Sequence, residues 1–128
     1  MKHFIAYHNT EKMGYSLPDS QPQRLLAKKP IKHLLRNTAW FVTFEGSGTP
    51  RQYCLGSVFR VGEVQEKDKE GFKWVASGPG YVFHPRILIK DMGLRFTGNF
   101  GLGVSEVKDN AVIVGLTRIA EKVGYSLS

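Results

Sequence analysis

The chain has 128 residues, enough to bury one hydrophobic core without disulfide or metal staples, so a single domain over residues 1–128 is expected. Its longest apolar stretches are strand-sized, well short of the roughly 20 residues that carry a helix across a bilayer, which argues against a membrane partner. Eighteen Lys and Arg against eleven Asp and Glu leave a formal charge of +7, and this excess directs attention to anionic partners.

The opening residues His3 to His8 are rich in strand formers and read as a strand that stops at Asn9-Thr10. Few apolar residues follow Lys2, too few for a secretory signal. The lone Cys54 has no intrachain disulfide partner, which suggests a reducing compartment and a cytoplasmic location. Residues 11–30 are polar and interrupted by Gly14, Pro18, Pro22 and Pro30. They read as an ordered loop in which short helical turns fit only at 23–29 and 31–36.

That stretch also holds the most uneven charge. No acidic residue lies between Asp19 and Glu45, while Arg24, Lys28, Lys29, Lys32 and Arg36 do, together with His33. Most charge blocks are simply solvated faces; the functional alternative is a patch that tracks phosphates. The acids gather instead at Glu63, Glu66, Asp68 and Glu70, interleaved with Lys67 and Lys69.

From Thr38 to Glu45, Trp40, Val42 and Phe44 alternate with Ala39, Phe41 and Thr43, so both faces are apolar and the strand is expected to be central. Residues 46–50 form a hairpin turn. A long strand over 52–65 then sets Tyr53, Leu55, Phe59 and Val61 on one face, with Gly56 and Gly62 opposite as bulges or bends of the kind that turn a small barrel's corners. The acidic run 66–70 reads as a solvated loop ending at Gly71. A short strand over 72–76 holds Trp74, and Gly78-Pro79-Gly80 breaks the chain.

Residues 81–90 alternate again, Tyr81, Phe83, Ile87 and Ile89 against a face with His84, Arg86 and Lys90, and Pro85 marks an edge or bend. A strand at 94–97 and a turn at Gly98, Gly101 and Gly103 follow. Asp109 is placed to cap a helix over 110–123, where Val112, Leu116, Ile119, Ala120 and Val123 recur at helical spacing and would pack across one end of a barrel. The expected fold is α+β: a small, curled, mostly antiparallel β-barrel of five or six strands with short helices and a C-terminal helix.

Signals for catalysis are weak. The glycines at 98, 101 and 103 lack the order of a dinucleotide fingerprint, and His3, His8, His33 and His84 stand at no metal-site spacing, so no catalytic residue, metal or cofactor is assigned. His8 and Asn9, directly after the first strand, are either pocket residues or the cap of the next turn.

The segments Phe4-Ile5-Ala6-Tyr7-His8-Asn9, Thr38-Ala39-Trp40-Phe41-Val42, Tyr53 through Val61 and Phe96 through Gly103 together resemble the layout of PUA-like barrels, among them the EVE, YTH and ASCH families. That resemblance implies a barrel mouth that holds a nucleobase, sometimes a methylated one, against aromatic rings. It places His8 and Asn9 after the first strand, where EVE and YTH proteins usually carry Ser or Lys-Ser, and Trp40 where a pocket aromatic stands.

The expected function is therefore a non-catalytic nucleic-acid-binding module for DNA or RNA, in its sharpest form a modified-base reader. Trp40, Tyr53 and Trp74 would stack, His8 and Asn9 would bond base edges, and Lys28, Lys29, Lys32, Arg36, Arg51 and Arg86 would hold phosphates. Two alternatives stand beside it. One is a small enzyme acting on a nucleotide or small anion with His8 or His84 as acid or base; the other is a protein interaction module or homodimer.

Overall fold

The computed structural model describes residues 1–8, 23–45, 52–69, 71–93 and 104–127. Within them the chain forms eight strands: β1 (His3–His8), β2 (Gln23–Ala27), β3 (Thr38–Glu45), β4 (Gln52–Arg60), β5 (Glu63–Lys69), β6 (Phe72–Gly78), β7 (Gly80–Leu88) and β8 (Val104–Val107). One helix, α1 (Asn110–Lys122), follows, and short 3-10 turns occupy Lys32–Leu34 and Ile89–Met92. The strands assemble as a five-stranded sheet in the order β7-β4-β3-β1-β8 and a three-stranded sheet in the order β2-β6-β5. Among the described residues these two sheets do not close into a barrel.

The alternation along β3 sets up two separate cores. Ala39 and Phe41 face the small sheet and meet Phe4, Ala6, Leu25, Phe59, Val61, Trp74 and Ala76, with Ile31 and Leu34 closing the side. Trp40 and Val42 face the opposite way, against Ile5, Leu55, Val58, Phe83 and the helix residues Val112, Leu116 and Ala120. A strand buried on both faces has no solvent side to tolerate polar residues, which is why its apolar content is continuous. β1 lies parallel to β3, His3 opposite Thr38 and His8 opposite Thr43, and every other pairing is antiparallel.

Gly56 changes the alternation of β4. Phe41 stands opposite Ser57 and Val42 opposite Leu55, so Gly56 is an extra residue on its strand, a β-bulge. Side-chain parity flips across it: Leu55 belongs to the helix-side core and Phe59 to the inter-sheet core, whereas simple alternation puts both on one face. The bend expected at Gly62 is real and stronger than expected, since the 52–65 segment is two strands. β4 ends at Arg60, and after Val61 and Gly62 the chain enters the other sheet as β5.

The returning strand makes the same crossing between β6 and β7. There Gly62 N donates to Ser77 O at 2.9 Å and Arg60 N to Pro79 O at 3.2 Å, pressing the two crossings together. A Cβ on Gly78 would overlap the Arg60 carbonyl, and one on Gly80 would overlap the Val58 carbonyl and Phe59. Those two glycines are required by close backbone approach, so this corner joins the sheets.

Two further expectations are corrected. Residues 23–27 form strand β2 and not a helical turn, because pairing with β6 and burial of Leu25 in the inter-sheet core override the local helix preference of Arg-Leu-Leu-Ala. Most of the acidic run expected as a loop is strand β5, whose Glu66 pairs with Trp74; as the outer strand of its sheet it turns its charges to water. The hairpin turn at 46–50, the strand at 94–97 and the glycine turn at 98–103 lie outside the described residues. Helix α1 is capped as expected, Asp109 Oδ1 accepting from Ala111 N at 2.9 Å. It covers one face of the large sheet, not a barrel end.

Candidate nucleic-acid interface

Among the described residues the densest cationic surface is the connection from β2 to β3. Lys28, Lys29, Lys32, His33 and Arg36 are all exposed along it. What holds this stretch in place is Leu34, fully buried, with Ile31 beside it in the inter-sheet core. Around that plug the backbone is tied down. Leu34 N donates to Ile31 O at 3.0 Å, Leu35 N to Lys32 O at 3.2 Å, Arg36 N to Val61 O at 2.8 Å and Asn37 N to Leu34 O at 2.9 Å.

Asn37 adds a second clamp. Its Nδ2 donates to His33 O at 2.9 Å, and its Oδ1 accepts from Lys2 N at 2.9 Å, bringing the exposed Lys2 to the same edge. The connection is therefore a fixed knuckle on the sheet ends. At its tip Arg36 adopts φ 67°, the left-handed region that non-glycine residues rarely enter. Leu35, beside it, points outward and is 43% exposed.

Two aromatic rings line the same edge. Lys32 Nζ lies 5.6 Å from the centre of the Trp74 ring, and Lys28 Nζ lies 6.0 Å from that of Phe72. His33 meets Phe4 edge-on at 5.5 Å. Phe72 and Trp74 are two residues apart on β6 and so share its inward face, where Trp74 is 8% exposed and Phe72 is half-buried. Cations and rings thus share one edge, with Trp74 packed in the inter-sheet core beneath Lys32 and Phe72 the more open of the two rings.

The remaining candidates are scattered. Trp40 is fully buried beneath α1, with its indole N–H donating to His3 Nδ1 at 3.1 Å, so no face of the ring is open to a base. Tyr53 is 36% exposed and meets Tyr7 edge-on at 5.9 Å. It pairs with Phe44 at the His8 end of the large sheet, whereas the knuckle precedes Thr38 at the His3 end. With about 3.3 Å per residue, β1 separates the two ends by about 16 Å. Arg86 is half-buried on the outer strand β7 of the large sheet, away from the knuckle. Asn9 and Arg51 lie outside the described residues, and of His8 the backbone position alone is described.

The expected site therefore divides into Lys28, Lys29, Lys32, Arg36 and Trp74 at one end and Tyr53 with the His8 backbone at the other. Sequence reasoning missed Phe72, Leu35, Asn37 and Lys2 at the first end; the Leu34-Leu35 doublet inside a cationic run was the available signal. His84 is exposed on β7, and His3 is buried and occupied by Trp40. Among the described residues no three His, Cys, Asp or Glu side chains converge on a point, and no helix is long and apolar enough to cross a membrane. A shallow groove of about 440 Å³ between α1 and the tail is lined by Thr117, Glu121, Gly124 and Tyr125 among others, and by none of the candidates. No protein-family model and no curated protein matches the chain.

Proposed function

We propose that this chain is a nucleic-acid-binding module that holds phosphates with Lys28, Lys29, Lys32 and Arg36, with the half-buried Phe72 as the neighbouring ring and Trp74 packed beneath Lys32. The single observation that supports it most is the knuckle: exposed cations on a backbone fixed by hydrogen bonds, two of them poised over aromatic rings. A fixed array of cations orders a phosphate chain without first having to order itself.

In its finer form the proposal is that of a PUA-like domain whose second contact, at the end of β1 beside Tyr7 and Tyr53, receives a base, modified or not. The separation of the two ends then sets a length. At 3.4 Å per stacked nucleotide, about 16 Å needs about five nucleotides.

Fluorescence anisotropy with labelled DNA and RNA strands of increasing length tests both forms. Affinity should fall with salt with a logarithmic slope near −3 for single strands, from about 0.7 per phosphate over four phosphates. It should step upward as strands pass about five nucleotides. Absence of binding at low ionic strength would end the proposal; binding without the length step would end its finer form.

A further inference from the structure

Leu35 is the feature that phosphate binding leaves unexplained. An isolated exposed leucine is ordinary on a protein surface. This one is distinguished by what holds and surrounds it. Its neighbour Leu34 is fully buried, its own N–H is bonded to Lys32 O, and the next residue, Arg36, is in the left-handed region with its N–H bonded to Val61 O. Leu34 fills the core position beside it, and Asn37 is held by hydrogen bonds on both sides, so Leu35 is left on the outer side of the knuckle. A non-glycine left-handed residue persists only where the surroundings over-determine it, and such positions cluster at ligand contacts. Around this tip stand Lys32, His33 and Arg36 from the knuckle and Lys2 from the adjoining chain end, all exposed.

A partly exposed apolar side chain on a hydrogen-bonded backbone, next to exposed cations, matches one kind of nucleic-acid contact. Proteins that open a base step place Leu, Ile, Met or Phe between two bases while neighbouring Arg and Lys hold the flanking phosphates. We infer that Leu35 is a wedge that enters a base step of a duplex and unstacks it, with Arg36 and Lys32 on the phosphates to either side. This rests on the nucleic-acid reading above and extends it: beside single strands, the knuckle takes a duplex, or a duplex end, with a step that opens readily. Pyrimidine–purine steps are the softest and would be preferred.

The wedge and the phosphate contacts are separable by experiment. Short duplexes carrying 2-aminopurine at successive steps report unstacking as a rise in emission, while anisotropy of the same duplexes reports binding. Wild-type protein should bind and give a several-fold rise at one step. Leu35→Ala should bind through its intact cations without the rise, and Leu35→Met should restore it. Because Leu35 lies outside both buried cores and is 43% exposed, both variants should stay folded with a small change in melting temperature, which is checked alongside.

Binding by wild type with no rise at any step, or an undiminished rise with Leu35→Ala, would overturn the wedge and leave the phosphate contacts standing. No binding to any duplex or strand would overturn both. Leu35-dependent binding to phosphatidylserine vesicles with none to nucleic acid would also overturn both, and would reassign the knuckle to an anionic membrane surface.

Discussion

The indole N–H of Trp40 donates to Nδ1 of His3 across 3.1 Å inside the helix-side core. Indole is a donor only, so His3 Nδ1 must be unprotonated and the ring neutral. Burial of His3, 6% exposed, holds its pKa below the ordinary 6.5, and the charge of the chain's amino terminus adds to this. As pH falls, the unfolded chain takes up this proton before the folded one does. The stability that neutral His3 contributes is therefore complete above pH 6.5 and declines below it until the folded pKa is reached. Denaturant unfolding from about pH 7 to about pH 5 should show the decline. His3→Leu should remove that part of the slope and cost about 1–3 kcal/mol throughout by stranding the buried indole N–H.

Of the two tryptophans, only Trp74 lies beside the knuckle, beneath Lys32, whose displacement onto a phosphate would alter its surroundings. Nucleic acid should change the tryptophan emission of the wild-type protein. Trp74→Phe, which leaves Trp40 in place, should bind with its emission unchanged. A ligand-dependent change persisting in Trp74→Phe would move the contact toward the helix-side core.

Arg36 carries a conflict between stability and binding. Glycine adopts φ 67° freely, so Arg36→Gly should leave the fold unchanged or stabilise it by up to about 1 kcal/mol. The same change removes one phosphate contact and should make the salt slope shallower by about 0.7 for single strands. Loss of stability instead would show that the guanidinium supports the fold.

The corner where the sheets join leaves no space at Gly78. Its Cβ would meet the Arg60 carbonyl, and backbone cannot move aside cheaply. Gly78→Ala should cost about 1–3 kcal/mol or more by thermal melting. Gly71, with φ 85° and open space around it, should tolerate alanine sterically and lose only the smaller penalty of its backbone conformation.

Much of this architecture was legible wherever a local pattern and the tertiary environment agree. The alternation of Trp40 and Val42 against Ala39 and Phe41 foretold a strand buried on both sides, and Asp109 with its following apolar period foretold α1. Reading failed where long-range pairing decides. Arg-Leu-Leu-Ala looks helical alone and becomes β2 only because β6 lies beside it. Gly56 announced a bulge, but the register that moves Leu55 and Phe59 to opposite faces belongs to the partner strand.

The candidate site follows the same division. The cationic block from Lys28 to Arg36 is visible in composition, because charge needs no partner to be counted. Which rings stand near it is not. Trp40 and Trp74 are alike as residues, yet one lies under α1 and the other under Lys32, a difference set by which sheet each strand joins. The left-handed Arg36 depends on the carbonyl of Val61, which the chain supplies far downstream.

The central claim is that the knuckle holds nucleic-acid phosphates, and charge reversal there tests it most directly. Lys28→Glu, Lys29→Glu and Lys32→Glu combined, compared with the wild type by anisotropy across a salt series, should abolish binding at ionic strengths where the wild type binds. Circular dichroism should show the fold intact. Unaltered affinity and salt slope in the folded triple variant would contradict the account.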